Sequence, residues 1–113
     1  MSVTTHVLDT SAGRPAAGVR VALDAHDGDG GWERLGEGAT DDDGRLSGLL
    51  PTDRRLAAGA HRLVFDTGAW FADRDVDAFY PEVSVVFQVS DPTEHFHVPL
   101  LLSPFGYSTY RGS

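Results

Sequence analysis

The feature that most constrains this chain is a period-two alternation of apolar and polar residues, interrupted at roughly 8 to 12 residue intervals by clusters of glycine, proline and aspartate. Val19, Val21 and Leu23 fall on one side and Arg20, Ala22 and Asp24 on the other, the pattern of a strand with one face on a core. Val3 to Leu8 is β-prone, and Ser11-Ala12-Gly13-Arg14-Pro15 reads as the turn that follows it. Asp27-Gly28-Asp29-Gly30-Gly31 precedes a strand over Trp32 to Thr40, and Asp41-Asp42-Asp43-Gly44 precedes another over Arg45 to Leu50. Ala60 to Thr67 is a further strand. Trp70, Phe71 and Arg74 have helical spacing, so Gly68 to Asp75 is the one expected helix. Strands over Val83 to Val89, His95 to Leu102 and Tyr107 to Tyr110 complete the pattern. About eight short strands predict an all-β sandwich. The 13 glycines and 6 prolines among 113 residues agree, and the length suits one domain over 1–113.

Charge removes several functions. Lys and Arg number 9 against 17 Asp and Glu, a formal charge of -8, which repels a phosphate backbone or an anionic membrane surface. Nucleic acid and membrane partners are therefore not expected. Without cysteine there is no disulfide framework and no thiolate ligand or nucleophile. The first residues lack a basic stretch followed by an apolar one, and no run approaches the ~18 apolar residues of a membrane span. The expectation is a soluble, cytoplasmic protein.

Candidate chemistry centres on histidine and arginine. His95 and His97 are an i,i+2 pair on one side of a strand, and His6 lies on another, so three imidazoles can meet. They could ligate zinc with an open position for water, act without metal as a general base on water, or simply face solvent. Asp41-Asp42-Asp43-Gly44 fails as an EF-hand loop, because the twelfth position from Asp41 is Thr52, and reads as a hairpin turn. Gly106 to Tyr110 fails as a nucleophile elbow, because Tyr110 stands where glycine is required. Trp32, Phe65, Trp70, Phe71, Phe87 and Phe96 read as core and rim packing. Arg45 directly follows a tight turn and opens a strand, which fixes the direction of its side chain.

Four segments taken together carry a family resemblance: Thr5-His6-Val7-Leu8-Asp9-Thr10, Asp43-Gly44-Arg45, His95-Phe96-His97-Val98-Pro99-Leu100-Leu101-Leu102-Ser103-Pro104, and the terminal Tyr110-Arg111-Gly112-Ser113. From about Val3 to Ser113 the chain resembles the 5-hydroxyisourate hydrolases of the transthyretin-like family. The Tyr-Arg-Gly-Ser end separates these from the hormone carriers of the same fold. The resemblance implies a transthyretin-like (prealbumin-like) sandwich of two four-stranded sheets with one short helix. It implies hydrolysis of 5-hydroxyisourate, the product of urate oxidation, to 2-oxo-4-hydroxy-4-carboxy-5-ureidoimidazoline, with no cofactor and no metal.

Carried over residue by residue, the resemblance gives His6, Arg45 and His97 as catalytic, and His6, Arg45, Tyr110 and Ser113 as substrate-binding. It leaves His95 without a chemical role. It implies a homotetramer, a dimer of dimers with active sites in a channel where dimers meet. Either His6 or His97 can serve as base. The runner-up is a non-enzymatic carrier of a small aromatic ligand in that channel, since fold alone does not exclude it. A β-sandwich interaction module is a third class, and it predicts no convergent titratable site.

Overall fold

In the computed structural model, which describes residues 2–113, the alternations become nine strands and one helix. In chain order they are β1 (Ser2–Asp9), β2 (Arg14–Pro15), β3 (Arg20–His26), β4 (Trp32–Ala39), β5 (Arg45–Leu46), β6 (Gly59–Phe65), α1 (Thr67–Ala72), β7 (Val83–Val89), β8 (His95–Ser103) and β9 (Gly106–Thr109). One sheet runs β4-β3-β6-β7, antiparallel throughout. The other runs β2-β1-β8-β9, with β5 also on β1. Strands β1 and β8 are parallel, from Ser2↔His95 to Asp9↔Leu102. The far edge of β1 is divided between β5, opposite Thr5 and His6, and β2, opposite Leu8 and Asp9.

The core lies between the sheets. Val3 and Val7 of β1, Val21 and Leu23 of β3, Leu63 and Phe65 of β6, and Phe96, Leu100 and Leu102 of β8 are buried together. Each such side chain contributes on the order of 1.5–3 kcal/mol by leaving water. Two buried hydroxyls are satisfied by backbone: Thr5 donates to Val98 O at 2.6 Å and Thr40 to Ala16 O at 2.6 Å.

Four local expectations shift. Arg14 and Pro15, expected within the turn, instead pair with β1, and the Asp9 carboxylate accepts from Ser11 and Ala12 and closes the reversal. Proline is tolerated because β2 is an edge. Strand β5 ends at Leu46 instead of Leu50, since Gly48 takes φ 73° and Leu49 turns into the core. The helix is shorter than 68–75: it starts at Thr67, ends at Ala72 and buries Trp70 and Phe71. Arg74 lies past its end, with its guanidinium 3.8 Å from the Trp70 ring centroid.

The fourth shift is on the outer face of the all-antiparallel sheet. Alternation puts Asp24 toward solvent, yet it is 1% exposed. Arg34 Nε donates to one carboxylate oxygen at 2.9 Å and Arg62 Nε to the other at 2.8 Å. Burial alone would raise the Asp24 pKa, but the two guanidinium hydrogen bonds outweigh it and hold the carboxyl below its usual range.

Candidate active site

The outer face of the β1–β8 pair is built by alternation. Val3, Thr5 and Val7 point inward, so Ser2, Thr4 and His6 point outward, as do His95 and His97 across the parallel register. The register places Thr4 beside His97 and Ser2 beside His95. On the other edge of β1, Arg45 is the partner of His6, so both project from the same face.

Arg45 owes its position to the turn before it. One oxygen of Asp41 accepts from the backbone N–H of Asp43 and of Arg45, each at 2.9 Å. Gly44 sits at φ +76°, and a Cβ there would lie 2.3 Å from Val7 O, so only glycine lets the turn dock against β1. Val7 N–H donates to Gly44 O at 2.7 Å and completes the dock.

The chain end is held on the opposite edge. Gly112 N–H donates to His97 O at 2.8 Å, and the His97↔Gly112 bridge continues the antiparallel register of β8 with β9. A Cβ on Gly112 would come within 2.5 Å of His97 Cδ2, so the missing side chain lets the tail lie against the imidazole. The Arg111 guanidinium lies 4.8 Å from the Phe96 ring centroid.

Between turn and tail is an open cavity of about 360 Å³, lined by Thr4, Asp41, Arg45, His95, His97 and Ser113 among others. Among the described residues the Arg45 guanidinium makes no hydrogen bond or ion pair with a protein group. The His97 ring is half-buried, and its Nε2 likewise has no hydrogen-bond partner among the described residues. Burial chiefly, then the neighbouring His95, Arg45 and His6, push the His97 pKa below the ordinary imidazole value. At neutral pH this imidazole is uncharged and can accept a proton.

His6 is committed differently. Its Nε2–H donates to the Asp43 carbonyl at 2.8 Å, which leaves Nδ1 as the acceptor of the neutral ring. His6 stands beside Arg45 but does not line the cavity. Tyr110 is also apart from it in a single chain: 57% exposed, it borders an apolar groove of about 290 Å³ with Phe87, Phe96 and Val98. The structure thus brings Arg45, His97 and Ser113 to one cavity, sets His6 at its border and places Tyr110 next door.

Thr4 and Gly112 were not singled out by sequence reasoning. The signal for Thr4 was its position two residues before His6 on a strand; none marked Gly112 as the residue that admits the tail. Among the described residues no three His, Asp or Glu side chains are grouped as a metal site. His26 and His61 belong to the other sheet, where His61 Nδ1–H donates to Gly59 O at 3.0 Å.

Residues 3–112 match the model of the HIUase/Transthyretin family. The chain is 48% identical over 111 residues to a 5-hydroxyisourate hydrolase of Salmonella dublin, covering 98% of this chain and 80% of that protein. Among solved structures it is similar to the 5-hydroxyisourate hydrolase of Klebsiella pneumoniae, with TM-score 0.85, 37% identity, and coverage of 99% of this chain and 98% of that one. It is also similar to sea bream transthyretin in complex with thyroxine, with TM-score 0.89, 33% identity, and coverage of 97% and 93%.

Proposed function

The chain belongs to the HIUase/Transthyretin family, and on that premise we propose that it is a hydrolase that opens the six-membered ring of 5-hydroxyisourate at its amide. The observation that carries this reading is an imidazole with an open Nε2 and a guanidinium without a protein partner among the described residues on one cavity, which a carrier of an apolar ring does not need. Backbone similarity alone serves both readings, since the thyroxine-bound sea bream transthyretin and the Klebsiella hydrolase share the fold.

The reaction needs a base, a stabiliser of the developing oxyanion and an acid for the leaving nitrogen. His97 is the base. Its Nε2 is open and it lines the cavity, whereas His6, whose free acceptor is Nδ1, stands outside the lining. His97 takes a proton from water as the water oxygen attacks the ring carbonyl; the C–N bond then breaks and the nitrogen takes a proton. Arg45 binds the anionic substrate and the carbonyl oxygen as it gains charge, with a planar fork of donors. His6 orients the substrate beside Arg45. Ser113 and the Tyr110 hydroxyl complete the substrate contacts. The net charge of -8 makes this attraction local to Arg45.

The whole chain, 1–113, forms one such domain and works as a cytoplasmic homotetramer, a dimer of dimers. Assembly closes the open cavity into a channel and brings Tyr110 of the tail to it. No cofactor or metal takes part. The deciding experiment follows the ultraviolet decay of 5-hydroxyisourate, corrected for spontaneous hydrolysis, with sedimentation in parallel. Acceleration by catalytic amounts of protein, unaffected by prolonged EDTA dialysis, is expected. Binding of an aromatic ligand without acceleration would favour the carrier, and activity lost to EDTA and restored by zinc would replace the metal-free mechanism.

A further inference from the structure

His97 does not stand alone on its strand. Thr4 Oγ1 lies 2.8 Å from His97 Nδ1 and 3.2 Å from His95 Nε2, and His95 Nδ1 in turn bonds the Ser2 hydroxyl. Two adjacent parallel strands supply this row, because the register sets Ser2 beside His95 and Thr4 beside His97. The rings of His95 and His97 stack with their centroids 6.4 Å apart and their planes within 12°. One end of the row is half-buried at the cavity, and the other, His95, is exposed.

A threonine hydroxyl has one proton to give and two lone pairs to accept with, and when that proton is given within the row the row has two polarities. In one, Thr4 donates to His97 Nδ1, so His97 carries its proton on Nε2 and presents an acid to the cavity. In the other, His97 Nδ1–H donates to Thr4, Thr4 O–H donates to His95 Nε2, and His95 Nδ1–H donates to Ser2. Only the second leaves a lone pair on His97 Nε2. The Arg45 guanidinium in the same cavity favours the lone pair over an N–H dipole.

We propose that Thr4 is a positioning residue of this hydrolase: bonded to both imidazoles, it holds His97 in the tautomer whose Nε2 takes a proton, and passes the resulting charge to exposed His95. The inference rests on the hydrolase reading and adds to it two residues that reading leaves idle. The proton balance closes. When Nε2 takes a proton from water, the Nδ1 proton moves to Thr4 Oγ1 as the Thr4 proton moves to His95 Nε2. His97 is then neutral with Nε2–H, and the positive charge sits on His95 in contact with solvent. When the ring nitrogen leaves, His97 gives it the Nε2 proton while the two transfers reverse, and every group returns to its starting state. The relay has a physical cause in burial: a charge on half-buried His97 beside Arg45 is costly, and one on exposed His95 is solvated.

The test uses Thr4→Val, which keeps the branched shape and removes the hydroxyl, and Thr4→Ser, which restores the hydroxyl on a different stem. Ring-nitrogen NMR of histidine-labelled protein without substrate reads the tautomer directly. Expected in the native protein is His97 with its proton on Nδ1; in Thr4→Val the population moves toward Nε2–H, and in Thr4→Ser it returns. In the decay assay Thr4→Val lowers kcat about tenfold or more with little change in KM, as loss of a partner that orients a functional histidine commonly does, and Thr4→Ser recovers most of it. His95→Ala slows kcat and is rescued by added imidazole. In the pH profile of kcat, the acid limb is read against the neighbouring charged and titratable groups His6, Asp41, Arg45, Glu94 and Arg111. That limb moves in Thr4→Val and returns in Thr4→Ser.

A native His97 protonated on Nε2, or a Thr4→Val protein with unchanged tautomer and kcat, overturns the proposal. Since the NMR arm needs no substrate, it stands even if native protein fails to hydrolyse 5-hydroxyisourate, and that failure would refute only the activity.

Discussion

Arginines on the outer faces of the two sheets are used in opposite ways. On the all-antiparallel sheet, Arg34 and Arg62 converge on buried Asp24 at 2.9 and 2.8 Å, and Arg62 also lies 4.5 Å from the Trp32 ring centroid. On the β1–β8 sheet, Arg45 projects beside His6 into a cavity and has no protein partner among the described residues. A cation neutralised by a buried carboxylate reinforces a fold. One whose position is fixed by backbone, through the Asp41 turn, while its charge is left open is suited to an anion from outside. Residue type is the same on both faces; the partner decides the role.

The sharpest way to break that comparison is to substitute on both faces. His97→Ala and Arg45→Ala should each lower kcat/KM about 10²–10³-fold, the scale for losing a general base or an oxyanion donor, with little change in Tm. Deleting 110–113 should be as severe for turnover, with the circular dichroism of the sandwich retained, because the tail buries little apolar area. A substituted protein with normal turnover would remove that residue from the site, and an unfolded deletion product would make the tail structural.

A subtler cut is Gly112→Ala. The added methyl meets His97 Cδ2 at 2.5 Å and Pro99 Cγ at 3.3 Å, so either the tail lifts or the imidazole turns. Turnover should fall about tenfold, a loss of about 1.4 kcal/mol in transition-state stabilisation. Unchanged kinetics would show that tail and ring are not coupled.

The opposite outcome is expected across the molecule. Asp24→Ala removes charge-assisted hydrogen bonds to two arginines that can still turn to solvent, so unfolding free energy should drop by about 1.5–3 kcal/mol with kcat unchanged. Denaturant titration and the decay assay together separate the two faces. Lost turnover in a stable Asp24→Ala protein would erase the contrast between the two faces.

How much of this was legible beforehand depends on the range of the interaction. Local alternation revealed the strands around Val21, Leu63 and Val85, because a period of two needs only a few residues to register. It misplaced Asp24, since the arginines that cover it come from two other strands and a register shift lies between Leu23 and Asp24. It extended β5 to Leu50, since the core's demand for Leu49 is not a local signal. Among the site residues, family resemblance singled out His6, Arg45 and His97. The pairing of Thr4 with His97 depends on a parallel register between the two ends of the chain, which no local pattern encodes. The same limit holds for Gly112, whose missing Cβ matters only because His97 lies across from it.

The smallest effect is a shift in pH dependence. Burial and neighbouring positive charge hold the His97 pKa below the ordinary imidazole value, so the neutral, active form persists to lower pH than a free histidine would allow. The acid limb of kcat/KM should therefore lie below the usual range near pH 6.5. Replacing Arg45 with methionine removes one of the charges that disfavour imidazolium, so the limb of the residual activity should move to higher pH. Replacing Arg62 with methionine on the other face should leave it in place. Stability follows the same sign: a folded pKa depressed below the unfolded one contributes stability that is present above the unfolded pKa and lost as pH falls through the folded value. His97→Gln should flatten that part of the stability curve. A limb that stays put in Arg45→Met would mean that burial alone sets the His97 proton affinity, and that the open cation acts on substrate without tuning the base.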